Sequence, residues 1–176
     1  MPKSSAVSFF SVKEIAYLSL MIAAATVGRI FFQFLPNIQP MTAIFLILTL
    51  KLGVIRGIIV CILSVITTNL YLGMGVWTIS QIVSYTVVIC FVGVLAQFAW
   101  YRRFFALQIV VSVFSGFLYG FIISLISMKM FGFTNFWVYY FQGLSFDTLH
   151  ALGNGAFYFI LTPIFVKLLR KMDIKS

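Results

Sequence analysis

Asp147, His150 and Asn154 follow one another at spacings of three and four residues, which puts them on one face of a helix. An acid and an imidazole so placed can move a proton or hold a polar solute. Catalysis asks for more: a nucleophile set against a base, a metal constellation or a second carboxylate. None accompanies this pair, because the other acids, Glu14 and Asp173, lie towards the two ends of the chain. The sequence has no CxxC, no HExxH and no glycine-rich phosphate loop. Cys61 and Cys90 sit inside apolar runs and read as small hydrophobes rather than as a disulfide or metal ligands. A non-enzymatic role without cofactor or metal is the expectation.

Other polar groups recur with helical spacing. Arg29, Gln33 and Asn37 share one face, as do Trp77, Gln81 and Tyr85, while Asn69 follows Thr67 and Thr68, and Gln39 lies two residues beyond Asn37. Each has a plain alternative. Arg29 can snorkel to headgroups, and Gln81 and Asn154 can join helices by hydrogen bonds. Trp77, Tyr85, Trp137 and Tyr139 can be interfacial aromatics, and Asp147 and His150 can satisfy each other. The plain readings leave one thing unexplained. These groups gather towards the same halves of several helices, while the other halves read as nearly pure hydrocarbon. A polar cavity open on one side and closed beneath by apolar packing accounts for that distribution.

The elements that must position these residues are membrane helices. Of 176 residues, 62% are hydrophobic and 9% charged, against about 25% charged in soluble domains. A soluble core cannot hide that much apolar surface without leaving large exposed patches. At about 20 apolar residues per span, roughly six spans fit the chain, giving an all-α integral membrane protein with a single domain over 1–176. Punctuation divides it: helices are expected at about Lys13–Phe34, from Pro40 to around Lys51–Arg56, at Gly57–Leu72, Thr78–Trp100, Phe104–Met128 and Tyr139–Leu169, with 131–137 a loop. The first is too long for a signal peptide and has no cleavage site before a soluble domain.

The net charge of +9 invites a nucleic-acid reading, but the cations are scattered in ones and twos, with no stripe or arm. They fall in alternate connections instead. Lys3 and Lys13 precede helix 1; Lys51 and Arg56 lie between helices 2 and 3; Arg102 and Arg103 lie between 4 and 5; Lys167, Arg170, Lys171 and Lys175 close the chain. The opposite connections carry only Lys129 at an edge. The positive-inside rule then puts both termini in the cytoplasm and the polar cavity outside. Small residues supply a further signal: Ser19 with Ala23, Ala24 with Gly28, and Ser112, Gly116 and Gly120 form ridges on which another helix can pack closely.

Three stretches carry a resemblance: Val27-Gly28-Arg29 through Pro36-Asn37-Ile38-Gln39-Pro40-Met41-Thr42-Ala43, Leu72-Gly73-Met74-Gly75-Val76-Trp77-Thr78 with Gln81, and Phe146-Asp147 through His150-Ala151-Leu152-Gly153-Asn154. In this order and at this length, the chain resembles the substrate-binding S components of energy-coupling factor transporters, the vitamin-uptake class of ABC transporters. The resemblance implies a six-helix bacterial plasma-membrane protein that captures a water-soluble vitamin from outside. A membrane coupling subunit and two cytoplasmic ATPases would supply the work. Arg29, Gln33, Asn37, Gln39, Asn69, Trp77, Gln81, Tyr85, Asp147, His150 and Asn154 would line or gate the pocket. The family docks on its coupling subunit through an Ala-x-x-x-Ala face on helix 1; here Ser19/Ala23 and Ala24/Gly28 are the nearest matches. The Pro-Asn-Ile-Gln-Pro segment is most similar to the cobalamin-type group, with pantothenate, pyridoxine or its pyrimidine relatives, and riboflavin as the other candidates. A stand-alone channel or secondary transporter is the alternative, with an intramembrane enzyme ranked behind it.

Overall fold

A computed structural model describes residues 10–172 of the chain; Lys3 and Lys175, assigned above to the basic end, and the acid Asp173 lie outside them. The described residues form helices α1 (Val12–Phe31), α2 (Met41–Leu52), α3 (Val54–Leu72), α4 (Trp77–Leu95), α5 (Ala99–Arg103), α6 (Phe105–Phe131) and α7 (Phe136–Lys171). Five of them, α1, α3, α4, α6 and α7, are long and apolar enough to cross a membrane. The architecture is that of a helical, multi-pass membrane protein.

α1 begins where Ser11 accepts a hydrogen bond from the Glu14 N–H at 3.1 Å, a side-chain cap for one of the orphan donors of the first turn. Glu14 adds a favourable negative charge near the helix N-terminus and reaches Arg56 Nε at 2.6 Å, tying α1 to α3. The helix stops at Phe31 rather than Phe34, because the chain must turn inside 32–40, where Gly28 faces the Pro40 ring so closely that any Cβ would strike it.

The expectation of six full spans changes at α2. It has 12 residues, about 18 Å of helix, against about 30 Å of hydrocarbon. Every residue from Met41 to Thr49 is buried, and α1, α3, α4, α6 and α7 all pack on it. α2 is therefore the hub of the bundle, enclosed by its neighbours. Pro40 stands at its N-cap rather than in its first turn. Gly53, at φ 93°, ends α2 and starts α3 in a backbone conformation that only glycine adopts without strain. That is why α3 begins at Val54 and not at Gly57.

The expected fourth helix is broken as well. α4 ends at Leu95, and Arg102 and Arg103 sit on the separate short helix α5. α6 and α7 form a close antiparallel pair, since Gly116 and Gly120 let the backbone and side chains of Ala151 and Asp147 approach. The ridge Ser112, Gly116 and Gly120 is thus internal packing. α7 runs for 36 residues, starting where Asn135 accepts from the Val138 N–H at 3.2 Å.

Several hydroxyls inside the helices are satisfied by the carbonyl one turn back, as for Thr49 on Phe45, Thr67 on Leu63, Ser84 on Ser80 and Thr162 on Tyr158. This local bond makes serine and threonine tolerable in an apolar helix. The basic end is not pure hydrocarbon, contrary to expectation. Gln108 donates to the carbonyls of Tyr101 and Arg102 at 3.1 and 3.0 Å and accepts from the Tyr158 hydroxyl at 3.1 Å. This buried amide pins α5, α6 and α7 together. Gln108→Leu will strand two carbonyls and a phenol, each at about 1–3 kcal/mol; thermal unfolding in detergent will show a lowered midpoint, and Gln108→Glu will lower it too, because a carboxylate keeps the acceptor for Tyr158 but loses both donors and faces two carbonyl oxygens.

Candidate functional site

At the end of the bundle opposite the basic groups, a cavity of about 230 Å³ opens among α1, the 32–40 turn, α3, α4 and α6. Arg29, Gln33, Asn37, Gln39 and Gln81 supply its polar wall, and Phe32, Leu35, Ile38, Leu72 and Tyr119 its apolar wall. Five of the residues expected from sequence therefore meet in one hollow, brought from separate elements.

Arg29 sits in the last turn of α1. Its Nη1 donates to Thr68 Oγ1 at 2.8 Å, and Thr68 passes its own proton to the Ser64 carbonyl at 2.8 Å. The guanidinium is so aimed across from α1 to α3. It has no carboxylate partner: among the described acids, Glu14 pairs with Arg56, and Asp147 packs against Gly120. An unneutralised guanidinium with several donors left over, in a partly desolvated hollow, is a ready partner for a carboxylate or phosphate.

Asn69 fixes the α4 side. Its Nδ2 donates to Thr78 Oγ1 at 2.9 Å and to Gln81 Oε1 at 2.7 Å, so Gln81 accepts with its oxygen and presents its NH2 to the cavity. Asn69 itself is buried and acts behind the wall. The neighbouring Tyr85 is also buried; Gln39 Nε2 reaches its hydroxyl at 3.5 Å. Tyr85 is part of a ladder of rings, with Phe45 at 5.3 Å, Tyr119 at 4.4 Å, and His150 at 5.2 Å from Tyr119. Tyr119 is the rung that faces the cavity.

His150 lies behind that wall and holds the turn. Its Nδ1 is 3.1 Å from the Asn37 carbonyl, and its Nε2 is 3.1 Å from Thr42 Oγ1. A carbonyl only accepts, so Nδ1 carries the proton, and Nε2 of the neutral ring accepts from Thr42. Asn37 adopts φ 58°, a left-handed conformation that asparagine tolerates better than most residues, and its Nδ2 donates to the Phe146 carbonyl at 2.9 Å. The turn that carries Gln33, Asn37 and Gln39 is thereby latched to α7 at two points.

Several expected residues stand elsewhere. Asp147 and His150 share a face, but no hydrogen bond joins them: Asp147 is turned towards α6, and its Oδ2 is buried without a partner. Asn154 lies one turn beyond His150, fully buried, and neither atom of its amide has a partner among the described residues. Trp77 is about half exposed at the start of α4, against Gly75, and does not line the cavity. The small-residue face of α1 is divided. Ser19 and Ala23 are exposed, Ala24 packs on the core, and Gly28 is taken up by Pro40.

Thr42, Thr68 and Tyr119 were not singled out for these roles by spacing. A threonine in an apolar run carries no distinctive signal, and Tyr119 is isolated between Leu118 and Gly120; its one clue is its place on the inward small-residue ridge of α6. No family model, curated protein or solved structure matches this chain. The class is accordingly defined by its own features: a helical, multi-pass membrane protein with a cationic, amide-lined cavity at one end.

Proposed function

We propose that the chain is the solute-binding membrane subunit of an ATP-driven uptake system of the S-component type. It is a bundle of six helices with both termini in the cytoplasm and the cavity facing outward, in a bacterial plasma membrane. A coupling subunit and two cytoplasmic ATPases are its partners, and it performs no chemistry on the solute. The observation that carries the reading is Arg29: a guanidinium without a carboxylate partner, set in a small hollow of four amides and an aromatic face. The convergence of Lys51, Arg102 and Arg103 on the opposite end supports the orientation.

The solute is small and water-soluble, with a carboxylate or phosphate for Arg29 and hydrogen-bonding groups for Gln33, Asn37, Gln39 and Gln81. A space of about 230 Å³ lies below the usual range of small-molecule pockets, about 300–1,000 Å³. It favours a solute of pantothenate's size and charge over the cobalamin macrocycle that the Pro-Asn-Ile-Gln-Pro segment suggested, with pyridoxine-type solutes next. The exposed Ser19/Ala23 strip on α1 is the part of the expected docking face still open to a coupling helix.

The test is ligand retention. The purified chain is extracted in detergent and its small-molecule content identified by mass spectrometry, followed by calorimetric titration of candidate vitamins. One vitamin bound at one-to-one stoichiometry is expected. Gln81→Ala will reduce affinity about five- to tenfold, the worth of one hydrogen bond to a polar ligand, without changing membrane insertion; Asn154→Ala will have the smaller effect, because it lies deeper than the wall. Unaltered affinity in both variants places the pocket elsewhere. A polar trail down α6 and α7, through Asn154 and the Ser112 hydroxyl bonded to its carbonyl at 3.0 Å, favours the alternative of a stand-alone transporter. Proteoliposomes holding this chain alone, and accumulating solute without ATPases, would establish that alternative.

A further inference from the structure

A second concave surface lies at the basic end, where α2, α5, α6 and α7 meet. It is a groove of about 500 Å³. Lys51, Arg102 and Arg103 form its rim, and Phe105, Phe159 and Ile160 are prominent in its wall. Phe159 and Ile160 are more than half exposed, so the wall faces what surrounds the bundle rather than its core. Phe105 and Phe159 lie with ring centroids 6.1 Å apart, which makes the wall a continuous apolar strip.

The rim is short of anions. Of the described acids, Glu14 is spent on Arg56 and Asp147 belongs to the other half of α7, packed on Gly120. Arg102 uses Nη1 on the Ala96 carbonyl at 2.8 Å, which orients its guanidinium and leaves its other donors available. Lys51 and Arg103 take part in no hydrogen bond recorded for the described residues. Three like charges held around one hollow repel each other unless something negative sits among them. The wall adds a second polar feature. Pro163 lies inside α7 and has no N–H, so the Phe159 carbonyl one turn back lacks its helical donor.

A cationic rim above an outward-facing apolar strip is complementary to an amphiphile with one negative head and a hydrocarbon tail. A free anion satisfies the rim and leaves the strip unused; a zwitterionic lipid satisfies the strip and leaves the rim in excess charge. From this we infer that the groove is a binding site for an anionic phospholipid, its phosphate among Lys51, Arg102 and Arg103 and an acyl chain along Phe105, Phe159 and Ile160. The site is independent of whatever occupies the outer cavity.

The experiment uses the full chain, delipidated in detergent and offered equal amounts of phosphatidylglycerol and phosphatidylcholine, with bound lipid counted by native mass spectrometry. Near an anionic headgroup each cation is worth about fivefold, so phosphatidylglycerol is expected to be retained at least about tenfold over phosphatidylcholine. Lys51→Gln with Arg103→Gln will cut the ratio to the few-fold preference that Arg102 alone supports, while Lys167→Gln, an exposed cation outside the groove, will leave it unchanged. Millimolar inorganic phosphate will not displace the lipid. Parity in the natural chain, an unaltered ratio in the double variant, or displacement by inorganic phosphate would each overturn the assignment. Should the double variant fail to fold, photoreactive phosphatidylglycerol on the natural chain decides instead: adducts at Phe105 and within 159–166 are expected, and adducts confined to other helices refute the site.

Discussion

Arg29→Gln will lower the affinity for an anionic solute by about 10- to 100-fold, corresponding to the loss of one charge-assisted contact of about 1.5–3 kcal/mol. Among the described residues, Arg29 is the only cation of the cavity wall, so no neighbour there substitutes for it. The effect is predicted on binding rather than folding: the single structural bond it makes, to Thr68, leaves the Thr68 proton on Ser64 undisturbed. Thr68→Val separates the two roles. It removes the aim of the guanidinium and keeps the charge, and a loss of only a few-fold is expected. Arg29→Lys should fall between the two, because an ammonium keeps the attraction and loses the planar fork. Calorimetric titration on samples of matched thermal stability reads all three. A folded Arg29→Gln chain with unaltered affinity would remove the cavity from consideration as the anion site.

Gly116→Leu will prevent α6 and α7 from pairing. A Cβ at Gly116 would stand 2.5 Å from the Ala151 Cα and 2.6 Å from its N. Those are backbone atoms of a helix, unable to swing aside as a flexible side chain does, so the two axes must separate. Even Gly116→Ala should cost about 1–3 kcal/mol, as overpacking does in well-filled cores, and the larger side chain should leave no monodisperse protein after extraction. Gly143 on the same helix pair provides the contrast. Nothing lies within 4 Å of a Cβ added there, and Gly143→Ala should be neutral or stabilising through its better helix propensity. Size-exclusion profiles and melting midpoints in detergent measure both. An extractable, unchanged Gly116→Leu chain would mean that the α6–α7 contact is looser than its geometry indicates.

The long helices were legible because each is a predominantly apolar run closed by glycine, proline or cations. The role of α2 was not. In a membrane, lipid contact and protein contact both select hydrocarbon side chains, so a helix that is apolar all round says nothing of which it meets. Only its 12-residue length hinted at a different place. The Arg29, Gln33 and Asn37 series did converge, even though Gln33 and Asn37 both lie past the helix end, because the 32–40 turn, with Asn37 left-handed, folds back over it. The Trp77, Gln81 and Tyr85 series separated: equal spacing on α4 left Trp77 outside, Gln81 in the wall and Tyr85 behind it. Spacing defines a face within about a third of a turn, and the distance between a cavity wall and its backing is smaller than that. Gln108 escaped notice because one amide near a helix start resembles an interfacial residue until its three partners are known.

The position of α2 constrains how the protein is made. A chain emerging from the ribosome meets α2 second, yet four of the helices that enclose it, α3, α4, α6 and α7, are synthesised later. At 12 residues α2 is too short to insert as a span of its own, and Gly53 joins it to α3 without a loop, so the two enter the bilayer as one folded-back unit. Until α7 arrives, Thr42 has no His150 to meet, and the flank of α2 stands open to lipid. The bundle of described helices closes only when α7 packs on α2, which makes the arrival of α7 the step at which a nascent chain encloses its hub helix.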